Sequence, residues 1–261
     1  MKALITGATS GIGKSMAKKL SMRGWDLILT GRNEVVLSKL KEELGGSVET
    51  IAADLADRKE VYKVYEFARD KGVNMLVNNA GYGLFGRFEE TDLGDELDML
   101  SVNITAVHIL TKLFLRDFKK RDNGIILNVA SSAGFLTGPL LSSYYASKNY
   151  VVRLSLAIAE ELRRDKSHVS ITVLCPGPVD TNFNNRAGVT FSVKPISADY
   201  AAEYALRKAF ARKLIAIPGL SVQAGVFASR FLPHKVLAAV TYELQKRKKP
   251  AGKQAKGAVT G

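Results

Sequence analysis

Three Tyr-x-x-x-Lys pairs occur in the chain, at Tyr144–Lys148, Tyr204–Lys208 and Tyr242–Lys246. The spacing places both side chains of a pair on one helical face, but it does not by itself select a functional pair. The first pair has a serine, Ser131, thirteen residues before its tyrosine and directly after an apolar run. A phenol held near an ammonium, a hydroxyl and a bound dinucleotide is a proton donor suited to hydride transfer. The pattern favours a reductase.

Reduction of a carbonyl group requires a proton at the oxygen, and Tyr144 can donate it. The Lys148 ammonium is predicted to lower the Tyr144 pKa from its ordinary value near ~10. Ser131 can hydrogen-bond the substrate oxygen, and Asn103, which interrupts an apolar helical run, can hold a water molecule for proton relay. As isolated residues, Ser131 and Asn103 would more often be ordinary structural hydrogen-bonding groups. The predicted catalytic set is Asn103, Ser131, Tyr144 and Lys148.

A glycine-rich turn, Thr6–Gly13, follows the first apolar strand and opens the first helix. Its spacing is Gly-x-x-x-Gly-x-Gly. Glycines let the backbone approach a pyrophosphate, and the helix N-terminus offers N–H donors to that anion. A plain glycine-rich turn is the alternative interpretation. The predicted dinucleotide contacts are Gly7, Thr9, Ser10, Gly11, Ile12 and Gly13.

The second strand ends in Gly31 and Arg32, where NAD-preferring sites usually carry an acidic residue. A guanidinium can hold the 2′-phosphate of NADP(H) through forked, charge-assisted hydrogen bonds. The sequence therefore predicts NADP(H) in preference to NAD(H), although Arg32 can also be read as a solvated surface charge. The ends of the next two strands add further predicted cofactor contacts, namely Asp54, Leu55, Asn79, Ala80 and Gly81.

Short apolar strands alternate with amphipathic helices, which predicts a parallel, doubly wound α/β sheet covered on both faces. The predicted strands are 2–6, 26–29, 48–52, 75–77, 124–129, 169–174 and 214–216. The predicted helices include 12–22, 35–44, 58–69, 93–119 and 143–163. The predicted division is one domain over 1–217, a helical extension of it over 218–245 that is broken at Pro233, and a basic, disordered tail over 246–261.

Composition excludes several classes of protein. The 261 residues include one cysteine, Cys175, and three histidines without ligand spacing, so neither a disulfide nor a metal site is expected. The net charge is +13, but no nucleic-acid-binding motif accompanies it, and the tail supplies six of the basic residues. Because the first strand begins at Lys2, no leader peptide is expected, and a cytoplasmic location is favoured.

These motifs together resemble the short-chain dehydrogenase/reductase family over about Lys2–Thr181. The glycine turn, the segment Asn78–Gly81, the four catalytic candidates and the turn Pro176–Thr181 all match its patterns. The resemblance implies a seven-stranded parallel sheet, NAD(P)(H), ketone–alcohol chemistry and a dimer built from two long helices. It also implies that Tyr144 and Lys148 contact the cofactor, and that the nicotinamide side is bound by Pro176, Gly177, Val179 and Thr181.

The end of the chain departs from many members of the family and looks like that of 17β-hydroxysteroid or 3-ketoacyl reductases, which argues against a tetramer. A lipophilic ketone or aldehyde is the expected substrate. The predicted pocket residues are Tyr82, Phe135, Leu136, Leu140, Leu141 and Phe183. A non-catalytic NADP(H) sensor or scaffold is the alternative function. Residues 218–261 either pack on the core or a partner subunit, which is the favoured interpretation, or make weak peripheral contact with a membrane.

Overall fold

Seven parallel strands form a single sheet in the order β10-β6-β5-β4-β1-β2-β3, which confirms the predicted doubly wound α/β fold. The computed structural model describes residues 1–181, 189–190, 195–246 and 249–250. The strands of the sheet are β1 (Lys2–Thr6), β2 (Asp26–Gly31), β3 (Val48–Ala52), β4 (Val73–Asn78), β5 (Gly124–Val129), β6 (Val169–Leu174) and β10 (Ile215–Ala216).

Four further two-residue strands of the described chain lie outside this sheet. They are β7 (Val179–Asp180), β8 (Val189–Thr190), β9 (Ile196–Ser197) and β11 (Lys249–Pro250). Strand β7 pairs with β9 in parallel, and β8 pairs with β11 in antiparallel fashion. The predicted disorder of the tail otherwise falls on residues that lie outside the described part of the chain, apart from Lys246.

Helices cover both faces of the sheet. They are α1 (Gly11–Ser21), α2 (Glu34–Leu44), α3 (Arg58–Arg69), α4 (Leu93–Leu100), α5 (Val107–Lys120), α6 (Ser142–Arg164), α7 (Ala198–Phe210), α8 (Leu220–Ser229) and α9 (His234–Lys246). One apolar cluster lies between the sheet and α3, α5 and α6, and a second lies between the sheet and α1, α2 and α7. Burial on both faces explains why the strands are almost continuously apolar.

The predicted helix 93–119 is interrupted by a π-helical turn, Ser101–Ala106, between α4 and α5. A π-helical turn inserts an extra residue, which the apolar periodicity does not reveal. Within the described residues, Leu93–Lys120 is also the stretch with the length and apolarity of a membrane span. Its Leu110, Phe114 and Phe118 are buried in the core cluster, which is typical of a core helix.

A chain of buried polar side chains crosses the centre of the fold. The Asn78 amide donates to Thr111 Oγ1 at 3.0 Å and to Asn128 Oδ1 at 2.9 Å. Asn128 in turn donates to Ser155 Oγ at 3.0 Å. These bonds join β4, β5, α5 and α6. They fix α6, and with it the Tyr144–Lys148 pair, relative to the carboxyl ends of the central strands.

Candidate active site

The catalytic candidates converge beyond the carboxyl ends of β4 and β5. Tyr144 and Lys148 lie at the start of α6, Ser131 lies just after β5, and Asn103 lies in the π-helical turn. Tyr144, Lys148 and Ser131 line one cavity of about 810 Å³, within the range typical of small-molecule sites. Asn103 is fully buried behind the wall of this cavity.

Asn103 holds the loop after β4 against α6. Its Oδ1 accepts from the Tyr82 backbone N–H at 3.1 Å, and its amide donates to Tyr82 O at 2.9 Å and to Ser147 Oγ at 3.1 Å. A Cβ atom at Gly81 would lie 2.8 Å from Asn103 Oδ1 and 3.1 Å from Lys148 Nζ. Glycine is therefore required where this amide and the ammonium meet. The predicted water relay through Asn103 stays a prediction.

Burial sets the ionisation of the tyrosine and the lysine. Desolvation raises the pKa of Tyr144 above its ordinary value, and a side-chain hydrogen bond with Ser131 offsets part of this rise. Burial also lowers the pKa of Lys148 to about 8. Lys148 Nζ donates to Val129 O at 3.1 Å and lies 5.8 Å from the centroid of the Tyr144 ring.

The predicted lowering of the Tyr144 pKa by Lys148 is therefore wrong for this arrangement. The phenol is removed from water, which disfavours the charged phenolate and raises the Tyr144 pKa. Tyr144 consequently holds its proton at neutral pH, which is the state that a proton donor requires.

The glycine turn forms a cradle for an anion. Gly7 and Gly11 have φ values of 61° and 53°, which side chains rarely adopt. A Cβ atom at Gly11 would lie 2.9 Å from Thr181 Cγ2. The N-cap residue of α1, Ser10, makes no side-chain capping bond, and the first turn of α1 carries no acidic residue. This helix end therefore presents N–H donors suited to a pyrophosphate.

The loop after β4 is bonded to this cradle. Asn79 Nδ2 donates to Thr6 O and to Gly7 O, each at 3.0 Å. The backbone N–H groups of Asn79 and Ala80 both donate to Thr6 Oγ1. The two predicted cofactor segments therefore form one unit. Gly13 supports it from behind, since a Cβ atom there would lie 2.4 Å from Gly7 O.

The same cavity extends in both directions from the cradle. On one side it is lined by Arg32, Asp54 and Leu55, at the ends of β2 and β3. On the other side the Ser132 N–H donates to Pro176 O at 2.8 Å, which ties the turn after β6 to the catalytic serine segment. With the exception of Gly13, every predicted cofactor contact lines this cavity, namely Gly7, Thr9, Ser10, Gly11, Ile12, Arg32, Asp54, Leu55, Asn79, Ala80, Gly81, Tyr144, Lys148, Pro176, Gly177, Val179 and Thr181.

The predicted pocket residues divide into three groups. Tyr82, Leu136 and Leu141 line the cavity, whereas Phe135 and Leu140 do not. Phe135 packs instead against a small apolar cluster beside α6. Phe183 lies outside the described residues.

Helix α9 supplies cavity residues that sequence reasoning missed, Thr241, Leu244 and Gln245. The Gln245 amide donates to the hydroxyl of Tyr145, the neighbour of Tyr144. Leu237, Thr241 and Gln245 form the buried face of α9 at helical spacing. The sequence signal for this buried face was the four-residue spacing of these three residues, which places their side chains on one side of a helix. Val102, in the π-helical turn, and Tyr145 also line the cavity.

Among the described residues, no group of three or more histidine, cysteine or acidic side chains could hold a metal ion. Cys175 is buried, and burial raises the pKa of its thiol to about 12. The site therefore combines an anion cradle, a protonated phenol and a hydroxyl in one cavity. That set can bind a dinucleotide and protonate an oxygen that faces Tyr144.

Comparison with known proteins agrees with this geometry. The family model described as short chain dehydrogenase matches residues 1–190. A very-long-chain 3-oxoacyl-CoA reductase of Kluyveromyces lactis is 34% identical over 184 residues. That match covers 66% of this chain and 53% of the relative, so the chain spans about half of the relative's length.

Two solved structures have similar folds. A short-chain dehydrogenase from Sphingobium yanoikuyae in complex with NADPH superposes with a TM-score of 0.80 and 28% identity. It covers 99% of this chain and 98% of its own. A short chain dehydrogenase/reductase from Burkholderia phymatum in complex with NAD has a TM-score of 0.79 and 25% identity, and covers 87% and 91% of the two chains. The structural relatives thus include complexes with either nicotinamide cofactor.

Proposed function

The chain belongs to the short-chain dehydrogenase family, and within that family we propose that it is an NADPH-dependent reductase of a lipophilic ketone or aldehyde. Membership makes it an oxidoreductase that uses a nicotinamide cofactor. The observation that carries the proposal is the placement of the buried Tyr144 phenol in the same cavity as the glycine cradle.

The roles of the residues follow from their positions. The glycine cradle and the N-terminus of α1 would hold the pyrophosphate, and the bound nicotinamide would supply the hydride. Tyr144 Oη donates the proton to the substrate oxygen, while Ser131 Oγ hydrogen-bonds the same oxygen and orients it. Asn103 acts indirectly, since its bonds to Tyr82 and Ser147 position the loop after β4 against α6.

The preference for NADPH rests on Arg32. This guanidinium is exposed at the end of β2 and lines the cavity beside the cradle. A charge-assisted contact with a 2′-phosphate is worth about 1.5–3 kcal/mol, or roughly 10–100-fold in affinity. Arg32→Ala should raise the Kd of NADPH by about that factor and leave the Kd of NADH almost unchanged. Equal weakening of both cofactors would contradict the preference.

The proposal of a lipophilic substrate is based on the apolar residues that line the cavity together with Tyr144. Tyr82, Val102, Leu136, Leu141 and Leu244 line this part of the cavity. The relative from Kluyveromyces lactis is named for reduction of very-long-chain 3-oxoacyl-CoA, which supports a long apolar substrate here. A ketone group within a long carbon chain could place that apolar chain against these residues.

The decisive test is NADPH oxidation with a panel of short and long aliphatic ketones, with Tyr144→Phe and NADH as controls. We expect turnover that increases with chain length and is lost in Tyr144→Phe, while NADPH binding is kept. Tight NADPH binding without turnover on any carbonyl would instead favour the sensor or scaffold alternative.

Assembly and location belong to the same proposal. We propose a homodimer built from α5 and α6, the pair of long helices that the family resemblance indicates, and a cytoplasmic location. Light scattering should give twice the mass of one chain. Fractionation of cells should recover the protein inside the cell, and recovery outside the cell would refute that location.

A further inference from the structure

The two carboxyl-terminal helices present apolar side chains to solvent. On α9, Val236, Val240 and Leu244 recur every four residues and therefore lie on one exposed face. On α8, Leu220 is 83% exposed and Phe227 is 60% exposed, and Phe231 in the following turn is 74% exposed. We call these six residues the apolar stripe. Exposed apolar side chains that are grouped in this way on neighbouring helices of the chain often mark an interaction site.

The stripe adjoins the active-site cavity. Leu244 belongs to the stripe and also lines the cavity, next to Thr241 and Gln245 on the buried face of α9. At the other helix, Val222 of α8 packs beside Gly177, whose Cβ atom would lie 2.9 Å from Val222 Cγ2. Whatever covers the stripe therefore lies at the entrance of the substrate site.

The exposed charges carried by α8, α9 and the turn between them are mainly positive. Arg230, Lys235 and Lys246 are exposed, and the only acidic residue in the segment 218–246 is Glu243. An apolar helix face with flanking cations fits the interface of an anionic bilayer.

A second copy of the chain fits this surface less well. In a two-fold symmetric interface each residue contacts a different residue of the other copy, and Glu243 is the one acidic residue that these helices could offer to the three cations. Anionic phosphate groups would neutralise the same cations instead. The charge pattern thus selects a lipid surface over self-association.

We propose that the apolar stripe docks the protein onto an anionic membrane surface. Phe227 and Phe231, whose ring centroids lie 5.3 Å apart, insert together into the lipid boundary. Arg230 and Lys235 contact lipid phosphates. Docking is independent of the reductase assignment. Entry of a lipophilic ketone from the bilayer into the cavity past Leu244 is a consequence that rests on the proposed function.

Vesicle flotation of the full chain tests the docking. The vesicles contain phosphatidylcholine alone or with phosphatidylserine, at low and high salt. We expect binding to the anionic vesicles that weakens at high salt. The double variant Phe227→Ser/Phe231→Ser should lose about tenfold or more of this binding. Its matched control is Met22→Ser/Val35→Ser, which removes equally exposed apolar side chains at a distance and should bind as wild type does.

Charge reversal supplies the second arm. Arg230→Glu/Lys235→Glu should abolish the preference for anionic vesicles. Lys39→Glu/Lys41→Glu, which reverses two exposed charges on α2, should keep it. Absence of wild-type binding to either vesicle, or equal binding of the phenylalanine variant, would overturn the proposal. A fall in the mass of the phenylalanine variant by light scattering would assign the stripe to a second copy and overturn it as well.

Turnover without vesicles separates this proposal from the proposed function. The phenylalanine variant should reduce a water-soluble ketone at the wild-type rate, because neither ring lines the cavity. Vesicle binding without any ketone reduction would refute the reductase assignment and leave docking intact. Ketone reduction without vesicle binding would refute the docking and leave the reductase assignment intact.

Discussion

Two Tyr-x-x-x-Lys pairs in this protein have nearly the same helical geometry and different surroundings. Lys148 Nζ lies 5.8 Å from the centroid of the Tyr144 ring, and Lys208 Nζ lies 5.3 Å from that of Tyr204. Tyr144 and Lys148 are 8% and 5% exposed and line the cavity. Tyr204 and Lys208 are more exposed, on α7, and do not line it.

The difference shows that surroundings, and not spacing, give a tyrosine–lysine pair its chemistry. Burial raises the Tyr144 pKa and lowers the Lys148 pKa, and Ser131 lies within hydrogen-bonding distance of the phenol. The Tyr204 ring instead lies under two cations, Arg207 and Lys208, at 5.4 and 5.3 Å. The first arrangement can protonate a ligand, while the second stabilises a helix surface.

Removal of the tyrosine hydroxyl should give the largest difference in kcat between variants of the two pairs. Tyr144→Phe should lower kcat by about 10²–10⁴-fold, because the general acid is lost. Tyr204→Phe should leave kcat unchanged. Steady-state reduction of a ketone by NADPH measures both. A similar fall in kcat in the two variants would break the comparison.

A methyl group placed at Gly81 should disturb only the buried pair. The new Cβ atom would meet Asn103 Oδ1 and Lys148 Nζ, and displacement of a catalytic group by about 1 Å can cost ~10²-fold in rate. Gly225→Ala on α8 is the matched control, since its Cβ atom would meet nothing within 4 Å. We expect Gly81→Ala to lose activity while its melting temperature shows that it is folded.

A pH profile should distinguish the two lysines. The pKa of Lys148 is lowered to about 8, so its charge is lost as the pH rises through that value. If the charge assists reduction, kcat/KM should fall about tenfold per pH unit above this point. Lys148→Met should lack this step, and Lys208→Met should retain it.

Stability should change in the opposite direction over the same pH window. Above pH ~8 the unfolded chain, with an ordinary lysine pKa, binds more protons than the native state at Lys148. The contribution of Lys148 to the free energy of unfolding therefore increases as the pH rises from ~8 toward ~10.4. A fall in activity over this pH window is therefore not explained by the change in stability that Lys148 itself contributes. Denaturant titration of wild type and Lys148→Met measures the contribution.

Loss of the surface ring should have the smallest effect. Tyr204→Leu removes the cation–π contacts with Arg207 and Lys208, which are worth about 0.5–1 kcal/mol each at exposed sites. We expect a decrease of that order in the free energy of unfolding by urea titration and no change in kcat. A loss of activity at full stability would give the second pair a role in catalysis.

Sequence patterns predicted the fold well because burial on both faces leaves long apolar strands and clear helical periodicity. The limits of β1, β3, α3, β5 and β6 agree with the prediction. Backbone pairing extends β2 to Gly31, opposite Ala52 of β3, which the apolar pattern could not show. The π-helical turn was missed for a similar reason, since the apolar periodicity does not reveal an inserted residue, and the bonds of Asn103 to the Tyr82 backbone join residues distant in sequence.

The sequence by itself determined the parallel α/β sheet, the anion cradle and the choice of the first tyrosine–lysine pair. Each of those features depends on the type and spacing of residues that are close in sequence, such as the glycines of the cradle. The tertiary structure was needed to show that burial raises the Tyr144 pKa, that α9 closes one wall of the cavity, and that an apolar stripe borders its entrance. These depend on desolvation and on contacts between residues distant in sequence, such as Gln245 with Tyr145, and no local pattern encodes them.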